Sequence, residues 1–235
     1  IPHEFILLQG IPVPAIGKYG TGLIFLPREK EESELCLRII KENVEEENLH
    51  LLAVRDMPVN SKILGEISAS NEPLIKQIFV TGNLRQEELE RKLYLVRKKI
   101  ENSIAKSNLS NRRSFYIVSL SSKVLIYKGM LTSLQLRDYY PDLTNPNFTS
   151  AIALVHSRFS TNTFPTWDLA QPFRMIGHNG EINTIRGNRQ WMESRESVLK
   201  TDVLGTNMQD LYPIVQPGMS DSASLVRCHS ASIAA

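Results

Sequence analysis

Residues 156–192 read HSRFSTNTFPTWDLAQPFRMIGHNGEINTIRGNRQWM, where polar residues and glycines crowd directly behind the apolar run Ala151–Val155. Arg158 follows that run, which reads as a buried strand, so its guanidinium is placed to take a carboxylate at two points. Asn179-Gly180 puts an amide side chain and an unhindered backbone N–H in one turn, the two convergent donors that an oxyanion requires. Further on, Asp221 stands between Ser220 and Ser222, a carboxylate among small residues and suited to an ammonium group. Each feature also has a plainer reading. A lone arginine at a strand end is usually a surface ion pair, Asn-Gly is usually a plain turn, and Ser-Asp-Ser is usually a turn or a helix cap. His156 and His178 lack the ligand spacing of a zinc site. Nothing in the segment supplies a nucleophile.

Upstream of this segment, periodicity assigns the elements. Gly20–Leu26 reads as a short buried strand ended by Pro27. Leu35, Ile39, Ile40 and Val44 recur at helical spacing in the charged stretch Glu29–Asn48, which predicts an amphipathic helix. Leu49–Val54 and Ile75–Val80 are strand candidates. A longer helix is predicted over Gln86–Lys106, with Leu89, Leu93, Val96, Ile100 and Ile104 on one face. Phe115–Leu120 and Lys123–Lys128 read as a hairpin joined at Ser121-Ser122. Leu134–Tyr140 reads as a short helix stopped by Pro141, Ser150–His156 as another strand, and Asn183–Leu199 as a helix. Strands in the middle with helices on either side suit a layered α+β domain.

The composition narrows the partners. The 235 residues include 27 basic and 25 acidic side chains, a net charge of +2, which gives no reason to expect nucleic acid or an anionic membrane. The apolar runs fall far short of the roughly 20 residues a membrane-spanning helix needs. No charged-then-apolar leader opens the chain. Cys36 and Cys228 are its two cysteines, too few to imply a disulfide framework, so an intracellular, reducing compartment (cytoplasm or plastid stroma) is expected.

Taken together, His156-Ser-Arg-Phe-Ser-Thr-Asn-Thr-Phe-Pro, His178-Asn-Gly-Glu-Ile-Asn-Thr and Gly187-Asn188 before Trp191-Met192 resemble the type-2 glutamine amidotransferases, and within them the glutamate synthase family. The resemblance extends through Arg91-Lys-Leu-Tyr-Leu-Val-Arg-Lys, Phe115-Tyr-Ile-Val-Ser-Leu-Ser-Ser, Tyr127-Lys-Gly-Met-Leu and Tyr140-Pro-Asp-Leu. Ile1-Pro-His-Glu-Phe and Arg55-Asp with Pro58-Val59 carry it further, over nearly the whole chain. It implies an N-terminal-nucleophile hydrolase, a four-layer αββα sandwich whose first residue is a catalytic cysteine. In that family the thiolate attacks the glutamine carboxamide while the α-amine of the same residue shuttles the proton. By resemblance, Asn179 (side chain) and Gly180 (N–H) form the oxyanion hole, Arg158 clamps the substrate α-carboxylate and Asp221 holds its α-ammonium. Phe159 and Thr161 occupy matching positions along the substrate-binding strand. The product ammonia would go to 2-oxoglutarate, making glutamate.

The sequence departs from the family pattern in three places. Ile1 falls tens of residues into that pattern, so the nucleophilic cysteine is absent, and neither Cys36 nor Cys228 has a free α-amine to replace it. Residues 1–225 then read as a partial amidotransferase domain, incomplete at the N-terminus and inactive alone. An opened sheet edge would make it marginally stable. Residues 226–235 depart from the family and read as an atypical tail. The flavin (FMN) and iron–sulfur domains of the family are also missing, so no cofactor and no metal is expected in this fragment. The implied partners are L-glutamine, the synthase domains of the same polypeptide, and ferredoxin or an NAD(P)H-oxidising subunit. The alternative is a non-catalytic, amidotransferase-like assembly or regulatory domain. The run Phe159–Pro165 argues against the glucosamine-6-phosphate and asparagine synthetases.

Overall fold

The computed structural model describes residues 1–161, 163–174, 176–178, 182, 184–199 and 208–234, the side chains of 229–234 excepted. Its centre is a four-stranded antiparallel sheet built from β1 (Tyr19–Leu26), β2 (His50–Asp56), β3 (Leu74–Thr81) and β4 (Tyr116–Ile117), in the order β2-β3-β1-β4. The architecture is a mixed α and β fold. β1 pairs along its whole length with β3, from Tyr19 opposite Thr81 to Leu26 opposite Leu74. Every residue of β1 is buried, which is why its sequence is apolar or small throughout rather than alternating.

Two long helices cover one face of the sheet, α2 (Lys30–Glu46) and α4 (Gln86–Lys106). Their apolar stripes (Cys36, Ile40, Val44; Leu89, Leu93, Val96, Ile100) meet Ile24, Leu26, Ile78 and Val80 from the strands. The other face carries Leu23 and Phe25 against Tyr116, Val118, Ile126, Tyr139, Tyr140 and Trp167. Two short helices, α1 (His3–Leu8) and α5 (Ser133–Tyr139), lie on this side, where Phe5 and Ile6 pack with Tyr19 and Phe79. Among the described residues no helix is long and apolar enough to cross a membrane.

Most predicted elements are present, with α1 and α3 (Glu66–Ser70) added. Two are corrected. Phe115–Leu120 does run beside β1, but the ladder breaks where the Ser119 backbone crosses Gly22 and resumes at the Thr21–Ser121 bridge. Lys123–Lys128 is not a strand, so there is no hairpin. Ser121 and Ser122 turn away because Glu90 of α4 accepts from both hydroxyls and from the Ser122 N–H, while Ser121 Oγ accepts the N–H groups of Lys123 and Val124. The predicted strand Ser150–His156 is likewise absent, and Ile152, Leu154 and Val155 are 85, 54 and 75% exposed. β-branched residues favour a strand only when a neighbour pairs with it, and none of the described strands does. The predicted helix 183–199 is the shorter α6 (Arg186–Glu196), and α7 (Asp221–Ala234) closes the described chain.

Candidate functional site

Segments far apart in sequence meet around one buried amide. Gln171 is 6% exposed, Ser160 3% and Ser222 not at all. Gln171 Nε2 donates to Ser160 Oγ at 3.0 Å and to the His178 carbonyl at 2.7 Å. Ser160 donates to Ser222 Oγ at 2.8 Å, and Ser222 donates to the same His178 carbonyl at 3.3 Å, which closes a ring. The His178 N–H in turn reaches Gln171 Oε1 at 3.4 Å. Both donors of the amide and its oxygen are therefore used, as a buried amide requires.

The ring is anchored on either side. Lys128, 2% exposed, donates to the carbonyls of Asp168 (2.6 Å) and Ala170 (2.8 Å), just ahead of Gln171. Its ammonium also lies 4.5 Å from the Tyr116 ring centre and 4.6 Å from that of Phe173. Burial holds the Lys128 ammonium well below the usual lysine range, with the nearby Asp168 opposing the shift. Beyond Gln171, Phe173 and Ile176 exchange backbone hydrogen bonds of 2.7 and 2.8 Å. His156 lies against Gly177 so closely that a Cβ there would come within 2.9 Å of its ring.

Of the residues singled out from the sequence, Arg158 is exposed on a stretch without strand structure, so the rigid strand-end mounting expected for it is replaced by a loop. Its backbone N–H donates to His156 Nδ1 at 3.2 Å. Phe159 is half-buried beside Ser160, and Thr161 follows on the surface. Asp221 is the first residue of α7, where a carboxylate suits the helix dipole. Arg189 of α6 reaches Asp221 Oδ1 at 3.4 Å, the Met219 carbonyl at 2.7 Å and Ser224 Oγ at 3.1 Å. Asn179 and Gly180 lie outside the described residues. The fold thus brings the Arg158–Ser160, His178 and Asp221–Ser222 segments to one place. Gln171, Ser160, Ser222 and Arg189 were not singled out from the sequence. The signal for Gln171 was a lone amide inside Leu169-Ala-Gln-Pro-Phe173, an otherwise apolar run.

Neither cysteine suits nucleophilic work. Cys36 is fully buried in α2, and burial, then the charge of Glu32, pushes its thiol up to about 12. Burial also raises Cys228, half-buried in α7. A reactive thiol needs its pKa lowered. Among the described residues no three His, Cys, Asp or Glu side chains converge as metal ligands.

The sequence profile of the class-II glutamine amidotransferases matches residues 1–230. The chain is 41% identical over 241 residues to a glutamate synthase [NADH] of Saccharomyces cerevisiae, covering 96% of this chain and 11% of that protein. It is 43% identical over 211 residues to the glutamate synthase [NADPH] large chain of Azospirillum brasilense, covering 88% and 14%. To the chloroplastic ferredoxin-dependent glutamate synthase 2 of Arabidopsis thaliana it is 43% identical over 225 residues, covering 95% and 14%. The chain therefore spans only 11–14% of the length of these relatives.

Proposed function

The chain belongs to the class-II glutamine amidotransferases, and from that membership we propose that residues 1–225 are the glutamine-hydrolysing portion of a glutamate synthase, followed by a tail at 226–235. The observation that carries the reading is the ring through Gln171, Ser160, Ser222 and the His178 backbone. It joins residues 158–161, His178 and residues 221–222, the described parts of the segments the reading uses. In this reading the exposed Arg158 guanidinium receives the glutamine α-carboxylate and Asp221 its α-ammonium. Phe159 and Thr161 line the same path. Asn179 and the Gly180 N–H take the oxygen that becomes negative when a thiolate attacks the carboxamide. Since burial silences Cys36, the reading takes that thiol from an N-terminal cysteine outside these 235 residues.

The ammonia released would pass to synthase domains of the same polypeptide and form glutamate from 2-oxoglutarate, with ferredoxin or an NAD(P)H-oxidising subunit supplying electrons. An iron–sulfur cluster takes several thiolates, and this chain has two cysteines, one sealed in α2. Its residues do not fit that group, and we assign the cluster and FMN to the other domains. The fold reading extends to the four-layer αββα sandwich. The sheet with α2 and α4 would form one half of it. Cytoplasm or plastid stroma is the proposed compartment, in keeping with two free cysteines and a chloroplastic relative.

The test is glutaminase kinetics in the full-length synthase. Asn179→Ala is expected to lower kcat by about 10²–10³-fold, the usual cost of one oxyanion donor. Arg158→Lys is expected to raise KM, since lysine loses the planar two-point contact. A folded Asn179→Ala enzyme with normal kcat would move the oxyanion hole elsewhere. A folded parent with no glutaminase activity would favour the assembly or regulatory alternative.

A further inference from the structure

We infer that Gln171, together with Ser160 and Ser222, is a positioning clasp that sets the three glutamine-handling segments relative to one another. The inference rests on the glutaminase reading above and adds residues to it. Each arm ends within two residues of a proposed functional group. Ser160 lies between Phe159 and Thr161 and two residues beyond Arg158. His178 is bonded covalently to Asn179, and Ser222 to Asp221.

The ring bonds join residues 62, 44, 11 and 7 positions apart. They therefore set the relative placement of segments that chain connectivity leaves free. Small displacements matter here, because a misplacement of about 1 Å at a catalytic constellation costs on the order of 10²-fold in rate. The clasp suits that task, being buried and mounted between the Lys128 anchor and the Phe173–Ile176 pair. Two features distinguish it from polar groups that are merely satisfied. Gln171 holds both the N–H and the carbonyl of His178, so it restrains the orientation of the peptide as well as its distance. The His178 carbonyl also accepts from Ser222, which couples the approach to Asn179 directly to Asp221.

The arms make different predictions. Gln171→Met keeps the length of the side chain and removes its bonds to His178 and Ser160. The developing oxyanion is then poorly met, and kcat for glutamine should fall about 10- to 100-fold, with KM less affected. Ser222→Ala is a smaller change that loosens the start of α7 at Asp221. KM should rise roughly 10-fold, about one bond's worth of binding, with kcat nearly intact.

Both variants are measured in the full-length enzyme, alongside thermal melting and glutamate formation from externally supplied ammonia, which bypasses glutamine hydrolysis. Ammonia-dependent activity at the wild-type level with the split between kcat and KM supports the clasp. Normal glutamine kinetics in Gln171→Met, or losses in both variants that follow only the fraction of folded protein, overturn it while leaving the functional reading standing. If Gln171→Met does not fold, Ser222→Ala decides, and an unchanged KM overturns the clasp. A wild-type enzyme that does not hydrolyse glutamine overturns the functional reading and the clasp with it.

Discussion

Replacing Asp142 by alanine isolates a buried ion pair that ties a loop to the sheet. Asp142 lies in the turn Pro141–Thr144, with its side chain 4% exposed, and Arg55 of β2 faces it with 12% exposure. The guanidinium grips the carboxylate at two points, Nη1 to Oδ2 at 2.7 Å and Nη2 to Oδ1 at 2.9 Å. Tyr127 donates its hydroxyl to Oδ2 at 2.9 Å, and Arg55 also reaches Gln77 at 3.2 Å. Removing the carboxylate leaves a nearly buried cation uncompensated, which costs about 3–5 kcal/mol. The stranded tyrosine hydroxyl adds about 1 kcal/mol. At roughly 2–4 °C per kcal/mol for a domain of this size, the melting temperature should fall by about 8–24 °C. The assay is denaturant unfolding followed by fluorescence of Trp167, which is 4% exposed and has its ring 5.5 Å from that of Tyr139, just ahead of the turn. The double variant Arg55→Met/Asp142→Leu removes both charges, and apolar replacement of a buried pair is often close to neutral. It should therefore recover most of the loss. A single Asp142→Ala cost under about 1 kcal/mol, or a double variant no better than the single one, would refute the argument.

The remaining predictions are independent of that pair. Gly22→Ala places a Cβ 1.6 Å from the Ser119 carbonyl oxygen, a backbone atom that cannot step aside, so the variant should not yield folded protein; Gly65→Ala, with open space around it, is the control and should be near neutral by circular dichroism melting. Lys98 is 1% exposed, and burial, opposed by Glu101, pulls its ammonium down to about 7. The unfolded chain then holds one more proton between about pH 7 and 10.4, so this lysine's contribution makes stability rise with pH across that window, by up to about 1.4 kcal/mol per unit. The difference in unfolding free energy between wild type and Lys98→Met should show that slope, and parallel pH profiles would exclude it. Cys36→Ala should cost about 1 kcal/mol of stability for the lost buried sulfur, leave the glutaminase rate proposed for the full-length protein unchanged, and be checked by melting and kinetics together.

How far the sequence could be read depended on whether a segment's structure is decided within it or by a neighbour. The periodicities of α2 and α4 are local facts, and both helices lie where the spacing put them, the second over Gln86–Lys106 as predicted. β1 was equally plain, a run closed by Pro27, and β3 covers the predicted Ile75–Val80. The Ser121-Ser122 turn failed as a hairpin because its hydroxyls meet Glu90, some thirty residues upstream, and no local pattern announces that bond. The apolar run at 150–156 states a wish to pair without naming a partner, so its propensity alone predicted a strand the structure does not form. The candidate site divides along the same line. Arg158 and Asp221 carry charge and stood out at once, and the Asn-Gly pair stood out by its turn chemistry. Gln171, Ser160 and Ser222 are neutral and common, and they acquire meaning only when the fold brings residues 62 and 44 positions apart into hydrogen-bond range. What the sequence displays most openly is the chemistry a site can offer to a ligand. The bonds that aim that chemistry are long-range and uncharged, and it takes the folded chain to expose them.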